Sequence, residues 1–306
     1  LENPAVLPTG TGNGCAFSPD GIHLAVAHSA SPYITIYKRD GDTFTKLPNP
    51  ASLPGSPADG CTFSPDGQKL AIPVSGPSPC LVIYKRDGDT FTKLPNLSDL
   101  PIGVAYDCAF SQDNNYLAIA HSSSPYITIY KCNGDTFTKL SNPTALPSGQ
   151  CRNCAFSSDG MYLAVVSYAS PYIIIYKRNG DTFAKLSNPN VIPTYYGRTC
   201  QFSRNGKYLA VSASSSPWLY LYKRDGDTFT KLPDPEGLPT ITLTSYAFGG
   251  IAFSAGDEYL AWGYSVSPYL TIYLNEQKTY IHTLSEINKE YFAYAPKGKI
   301  GVAKES

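Results

Sequence analysis

The sequence lacks an excess of charge of either sign. Lys plus Arg number 24 and Asp plus Glu 24. That balance argues against a general nucleic-acid or polyanion binder, which needs a strong surplus of base. No apolar run approaches the roughly 20 residues of a membrane-spanning helix. No segment keeps a 3.6-residue apolar period, so no helix is predicted. Histidine is scarce: His23, His28, His121 and His282 are the four present. No nucleophile–base–acid set and no carboxylate pair outside the turns is evident, so no catalytic residue is assigned.

What the chain has in abundance is repetition. The phrase "CAFSPDGIHLAVAHSASPYITIYKRDGDTFTKLPNP" starts at Cys15. Close copies start at Cys61, Cys108, Cys154 and Cys200 and, with Ile in place of Cys, at Ile251. A half copy begins at Phe292. A fixed period of roughly 46 residues signals a solenoid, a propeller or an array. The chain opens at Leu1 part-way through a repeat, so an upstream piece is expected.

One repeat reads as four strands. "GCAFS" is a short buried strand, and "PDG" is a tight turn. "HLAVAHS" is a second strand, and "SASP" is a loop whose proline ends the ladder. "YITIYKR" is a third strand, rich in β-branched and aromatic residues. "DGD" is a hairpin turn, and "TFTKL" is a fourth strand. Four short antiparallel strands per repeat make the blade of a β-propeller. The expected fold is therefore all-β, a single propeller domain over residues 1–306. A seven-bladed ring is favoured, with the termini sharing the last blade; six blades with an appended hairpin is the alternative. An incomplete seventh blade would expose a strand edge and invite a homo-oligomer.

The cysteines follow the repeat. Cys15, Cys61, Cys108, Cys154 and Cys200 are one position repeated, too far apart between blades for disulfides. They are expected to be small buried hydrophobes. Thiols of this kind favour folding in a reducing compartment such as the cytoplasm. The single CxxC, at Cys151 and Cys154, has no second pair and predicts no metal site. No cofactor is expected. The Asp residues of "DGD" have too few neighbouring oxygens for calcium and read as hairpin residues. The Lys-Arg pairs before them read as solvated strand ends.

"FSPDG" followed by "LAVA" resembles the bacterial WD-like repeat shared by Tol-type and surface-layer propellers. The near-identical copies resemble propellers encoded in bacterial and bacteriophage genomes. Trp-Asp is absent from the end of the third strand, and the Gly-His pair that opens the eukaryotic repeat is missing. That family's His/Asp network is therefore not carried over. "YITIYKRDGDTFTKL" is also similar to the lactonase-type propeller that hydrolyses phosphogluconolactone; the likeness covers blade framework and no catalytic position.

The segment after each "LP" varies while its surroundings do not. It reads "TGTGNG", "GSPADG", "IGVAYD", "SGQCRN", "TYYGRT" and "TITLTSYAFGG". Tyr106, Arg152, Tyr195, Tyr196, Arg198, Tyr246 and Phe248 in these segments are of types enriched at interface hot spots. They are the predicted binding residues, placed on connection loops that face a protein or glycan partner. The expected function is a non-enzymatic interaction module, with a phage virion or tail role implied by the resemblance alone. A lactonase-like hydrolytic propeller and a self-assembling structural array are the alternatives.

Overall fold

The computed structural model describes residues 1–76, 79–235, 238, 250–263 and 269–274, and the backbone of 281–283. Each repeat folds as one antiparallel sheet whose strand order follows the chain. The first sheet contains β1 (Gly12–Phe17), β2 (His23–His28), β3 (Ile34–Asp40) and β4 (Thr43–Lys46). The second contains β5 (Thr62–Phe63), β6 (Lys69–Pro73), β7 (Leu81–Asp87) and β8 (Thr90–Lys93). The third contains β9 (Ala105–Phe110), β10 (Tyr116–His121), β11 (Ile127–Asn133) and β12 (Thr136–Lys139). The fourth contains β13 (Cys151–Phe156), β14 (Tyr162–Ser167), β15 (Ile173–Asn179) and β16 (Thr182–Lys185). The fifth contains β17 (Gly197–Phe202), β18 (Tyr208–Ala213), β19 (Leu219–Asp225) and β20 (Thr228–Lys231). The sixth contains β21 (Ile251–Phe253), β22 (Tyr259–Gly263), β23 (Leu270–Leu274) and β24 (Ile281–Thr283).

The architecture is an all-β propeller of four-stranded antiparallel blades. Six blades stand among the described residues, which corrects the expected seven. The half copy from Phe292, and with it the expected edge for a second chain, lies outside the described residues. Among the described residues no helix occurs, and no helix is long and apolar enough to cross a membrane.

Contacts divide the chain into two compact units. One comprises Leu1–Cys154 with Asn179–Phe183, the other Ala155–Arg178 with Ala184–Ser306. In each unit the core lies between consecutive sheets. Ala25, Ala27, Ile34 and Ile36 of the first sheet pack with Leu70, Ile72 and Tyr84 of the second. In the other unit Val166, Ile173 and Ile175 pack with Leu209, Val211 and Tyr222. Apolar side chains of one sheet against those of the next fill the space between the faces. The third-strand tyrosines also fasten the connecting segments. The Tyr37, Tyr84 and Tyr130 hydroxyls donate to the carbonyls of Val6, Ser52 and Asp99 at 2.9, 2.7 and 2.5 Å.

The charged turns act between blades, which the sequence alone did not show. Gly41 of the first "DGD" takes φ +55°, the left-handed region a two-residue hairpin needs. In later copies the second Asp accepts from a lysine one repeat earlier. Lys38–Asp89 and Lys85–Asp135 are 2.6 Å apart, Lys131–Asp181 2.7 Å and Lys177–Asp227 2.8 Å. The "PDG" turn is used the same way. Asp20 accepts from Ser18 Oγ and the Ile22 amide, and pairs with Arg86. In the second unit Asp159 pairs with Arg224 at 2.8 Å. The Lys-Arg pairs are therefore not merely solvated strand ends.

No two cysteines are joined by a disulfide. Cys108, Cys154 and Cys200 are buried as expected, whereas Cys15 and Cys61 are only partly covered. Cys61, Cys154 and Cys200 each direct Sγ at a carbonyl on the preceding repeat's second strand, at Ala25, Ala118 and Ala164.

Candidate functional site

An irregularity in the first strands decides which side chains can form a site. The ladder between β1 and β2 pairs Gly12 with His28 and Gly14 with Ala27, leaving Asn13 as an extra residue. The same slip leaves Tyr106 in β9 and Arg198 in β17. In the second repeat Ala58 bridges to Val74 and β5 begins only at Thr62, so Asp59 falls in the break. A bulge re-aims the side chain it carries. In the first, third and fifth repeats the position two before the repeated cysteine is therefore presented away from the regular pleat.

This corrects the placing of Tyr106, Arg152 and Arg198 on loops: all three are half-buried strand residues. For Tyr106 and Arg198 the cause is the partner strand. The second strand runs on to His121 or Ala213, which pair with Ala105 and Gly197, so the first strand continues upstream through the bulged residue.

In the first unit these positions and the residues beside them gather a polar set. The half-buried Asp59 carboxylate accepts from Ser75 Oγ at 2.7 Å. Burial pushes its pKa up, opposed by the Ser75 hydrogen bond and the positive charge of Arg152. Asp107 accepts from Asn153 Nδ2 at 2.7 Å and from the Cys154 amide at 3.1 Å. The Arg152 guanidinium lies 3.9 Å from the Tyr106 ring centroid, within the range of a cation–π contact. The Tyr106 hydroxyl donates to Gln150 Oε1 at 3.1 Å, and Asn13 Nδ2 donates to the Ala58 carbonyl at 2.9 Å.

Two glycines bring these groups together. A Cβ on Gly14 would stand 3.0 Å from the Gly60 Cα, so glycine here lets the two backbones approach closely. A Cβ on Gly60 would stand 3.9 Å from Asp107 Oδ1, so the absence of side chains leaves the ground beside that carboxylate open.

A carboxylate whose pKa is raised by burial is a better proton acceptor than an ordinary one. A fixed guanidinium nearby can stabilise a developing negative charge. Tyr106 and Arg152 are legible in the sequence by residue type; Asp59, Asp107 and Asn153 are not. Their only signal was to occupy, with Asn13, Gly14 and Gly60, the two positions before the repeated cysteine that the fold leaves chemically unconstrained.

The repeated histidines have framework roles. His28 and His121 are fully buried and their Nε2 atoms meet Thr35 and Thr128 Oγ1 at 3.0 and 2.9 Å. Burial pushes His121 down to about 4, so it stays neutral at ordinary pH.

In the second unit the structure brings together Tyr195, Tyr196 and Arg198, and adds Tyr168 and Tyr172 to them. Tyr246 and Phe248 lie outside the described residues. A cleft in this unit lined by Asn205, Lys207, Asp257 and Glu258 holds no comparable set. Its buried carboxylate, Asp257, caps the backbone amides of Arg204 and Asn205 at 2.6 Å each.

No family model matches the chain, and no curated protein matches it. Solved propellers do. A proposed 6-phosphogluconolactonase from Bacteroides uniformis superposes with a TM-score of 0.72 at 13% identity, covering 93% of this chain and 86% of that one. The periplasmic gluconolactonase of Pseudomonas aeruginosa superposes at 0.69 with 16% identity, covering 90% and 85%. The β-propeller domain of Cps50 (Swd1) from Myceliophteria thermophila superposes at 0.66 with 12% identity, covering 90% and 86%. At these identities the likeness establishes the propeller fold.

The expectation of a non-enzymatic module is corrected by these comparisons. A periplasmic gluconolactonase and a proposed 6-phosphogluconolactonase stand among the structures of similar fold.

Proposed function

We propose that this propeller hydrolyses a lactone, with Asp59 as general base and Arg152 as the group that stabilises the oxyanion. The observation that carries this reading is Asp59, a half-buried carboxylate with a raised pKa, oriented by Ser75 and within the field of Arg152. The lactone-hydrolysing propellers of similar fold support the reaction class. The resemblance of "FSPDG" and "LAVA" to the WD-like repeat supports a common framework and carries none of the site.

In the reaction Asp59 takes a proton from a water molecule as the water oxygen bonds to the lactone carbonyl carbon. The carbonyl π electrons move to oxygen, and Arg152 faces the resulting anion. When the tetrahedral intermediate collapses, the ring C–O bond breaks and the leaving alkoxide recovers the proton from Asp59. Water and lactone become a hydroxy acid, and the enzyme is regenerated. Ser75 fixes the base. Asp107 and Asn153 hold one another, and so position the neighbouring Arg152 backbone. Tyr106 holds the guanidinium in place. The test is turnover of glucono-δ-lactone and 6-phosphoglucono-δ-lactone above the spontaneous rate, with loss of about a hundredfold or more in Asp59→Asn.

A further inference from the structure

The second unit carries an aromatic cluster that hydrolysis at Asp59 does not use. Tyr196 lies between two other rings. Its centroid is 4.6 Å from Tyr168 at an interplanar angle of 17°, and 4.0 Å from Tyr195 at 31°. Tyr172 meets both Tyr195 and Tyr196, at 6.4 and 6.3 Å. Arg198 places its guanidinium carbon 5.0 Å from the Tyr168 centroid, donates from Nε to Ser214 Oγ at 2.5 Å and bonds the Tyr168 hydroxyl. Thr194 and Ser215 hydroxyls pair at 2.7 Å beside it. Tyr195 remains 43% exposed although one face rests on Tyr196.

The repeats show that the blade does not require these rings. Where the fifth repeat has Tyr195, the first four have Gly10, Ser56, Gly103 and Gly149. Where it has Tyr196, they have Thr11, Pro57, Val104 and Gln150. Where the fourth has Tyr168, the first, second, third and fifth have Ser29, Ser75, Ser122 and Ser214. Three tyrosines have thus replaced small or non-aromatic residues at three positions and stack on one another. Gly197 supports the arrangement: a Cβ there would meet the Tyr172 carbonyl at 2.5 Å and Val166 Cβ at 2.7 Å. Its bare backbone lets the Tyr172 loop come down against β17.

We infer that this cluster is a binding tray for an acidic oligosaccharide, stacking a pyranose ring on Tyr195. A pyranose has an apolar C–H face and a hydroxyl rim. The tray offers the matching pair: an exposed ring held rigid by its stack, and a rim of Thr194, Ser214 and Ser215 hydroxyls. Rigidity lowers the ordering cost of binding. The charge selects acidic sugars over neutral ones. Arg198 is the one charged side chain in the contributing stretches 165–173, 191–199 and 212–218, none of which contains Asp or Glu. A sugar carboxylate therefore meets attraction and no repulsion, and arginine is the side chain suited to pairing with it.

The experiment is calorimetric titration of the whole chain with trigalacturonate, 3′-sialyllactose and a hyaluronan tetrasaccharide, with maltotriose as the neutral comparison. Binding of at least one acidic sugar more tightly than maltotriose is expected. The variant Y168S/Y195G/Y196T installs what the first repeat folds with, so its thermal melt should match the parent. Its affinity should fall by about tenfold or more. Arg198→Gln should remove the preference for acidic over neutral sugar while Tyr195 still stacks. Failure of all three acidic sugars to bind the parent overturns the inference, as does binding that the triple variant leaves unchanged. Lactone turnover is read separately with Asp59→Asn, so loss of one reading leaves the other standing.

Discussion

The Tyr116 hydroxyl donates to Asp181 Oδ1 at 2.7 Å, across 65 residues of chain. The other oxygen of that carboxylate holds Lys131, also at 2.7 Å. A hairpin-turn residue of one repeat is thus a clamp for the sheet before it. Tyr162 and Lys177 hold Asp227 in the same way, at 2.6 and 2.8 Å.

These clamps predict how stability depends on pH and salt. Hydrogen bonds and charge from Lys38 with His23, from Lys85, and from Lys177 with Tyr162 hold Asp89, Asp135 and Asp227 below the ordinary carboxylate pKa. Groups with depressed folded pKa values add stability above the ordinary range and lose it as pH falls through their folded values. Each pair is about half exposed, so solvent screening keeps each contribution small. The repeated set should still lower the melting temperature between neutral and acidic pH, and by less in 1 M salt, where exposed pairs are already screened. A melting temperature that does not fall on acidification would contradict the clamp role.

The Asp20–Arg86 pair should matter more. Burial pushes the Asp20 pKa up but is outweighed by hydrogen bonds from Arg86, Ser18 and Ile22 and by the Arg86 charge, and the net position is well below the ordinary range. Arg86 is only 17% exposed. Asp20→Ala would leave that guanidinium without its carboxylate and loosen the turn. A loss of about 1–3 kcal/mol in denaturant unfolding is expected, against under about 1 kcal/mol for Asp89→Ala.

The blade framework was legible because sequence and sheet share short-range causes. Alternation in "GCAFS" and "HLAVAHS", the β-branched run in "YITIYKR" and the Asp-Gly turns each fix a strand or its end without help from distant residues. The clamps were not legible, because Lys131 and Asp181 are fifty residues apart and each looks solvated in its own repeat. The candidate site was half legible. Tyr106 and Arg152 stood out by residue type, but Asp59 and Asp107 looked like loop divergence. What makes them a site is pairing between distant residues, which puts Asp59 in a break of its ladder and lets Asp107 hold Asn153 of the next repeat.

Gly197 provides a local test. The equivalent positions in the second to fourth repeats are Ala58, Ala105 and Cys151, so alanine suits the blade in general. In the fifth repeat the Cβ would collide with the Tyr172 carbonyl and with Val166. Gly197→Ala should therefore cost about 1–3 kcal/mol by overpacking. A neutral result in thermal unfolding would show that the Tyr172 loop yields.

Asp59 should behave oppositely in stability and in turnover. Its folded pKa is raised, so the fold disfavours its charged form, and its contribution to stability declines as pH rises from the ordinary aspartate range through the folded value. Asp59→Asn should be neutral or slightly stabilising at neutral pH in a denaturant titration. Clear destabilisation would mark Asp59 as a structural residue.

The most direct measurement is the pH profile of lactone hydrolysis, followed by pH-stat with glucono-δ-lactone and 6-phosphoglucono-δ-lactone, for the parent, Asp59→Asn and Arg152→Ala. The mechanism predicts turnover above the spontaneous rate in the parent, with an acid limb above the ordinary aspartate pKa. It predicts loss of about a hundredfold or more in both variants, with no loss of fold. Parent protein that does not exceed the spontaneous rate on either lactone, or Asp59→Asn that hydrolyses as fast as the parent, would contradict it.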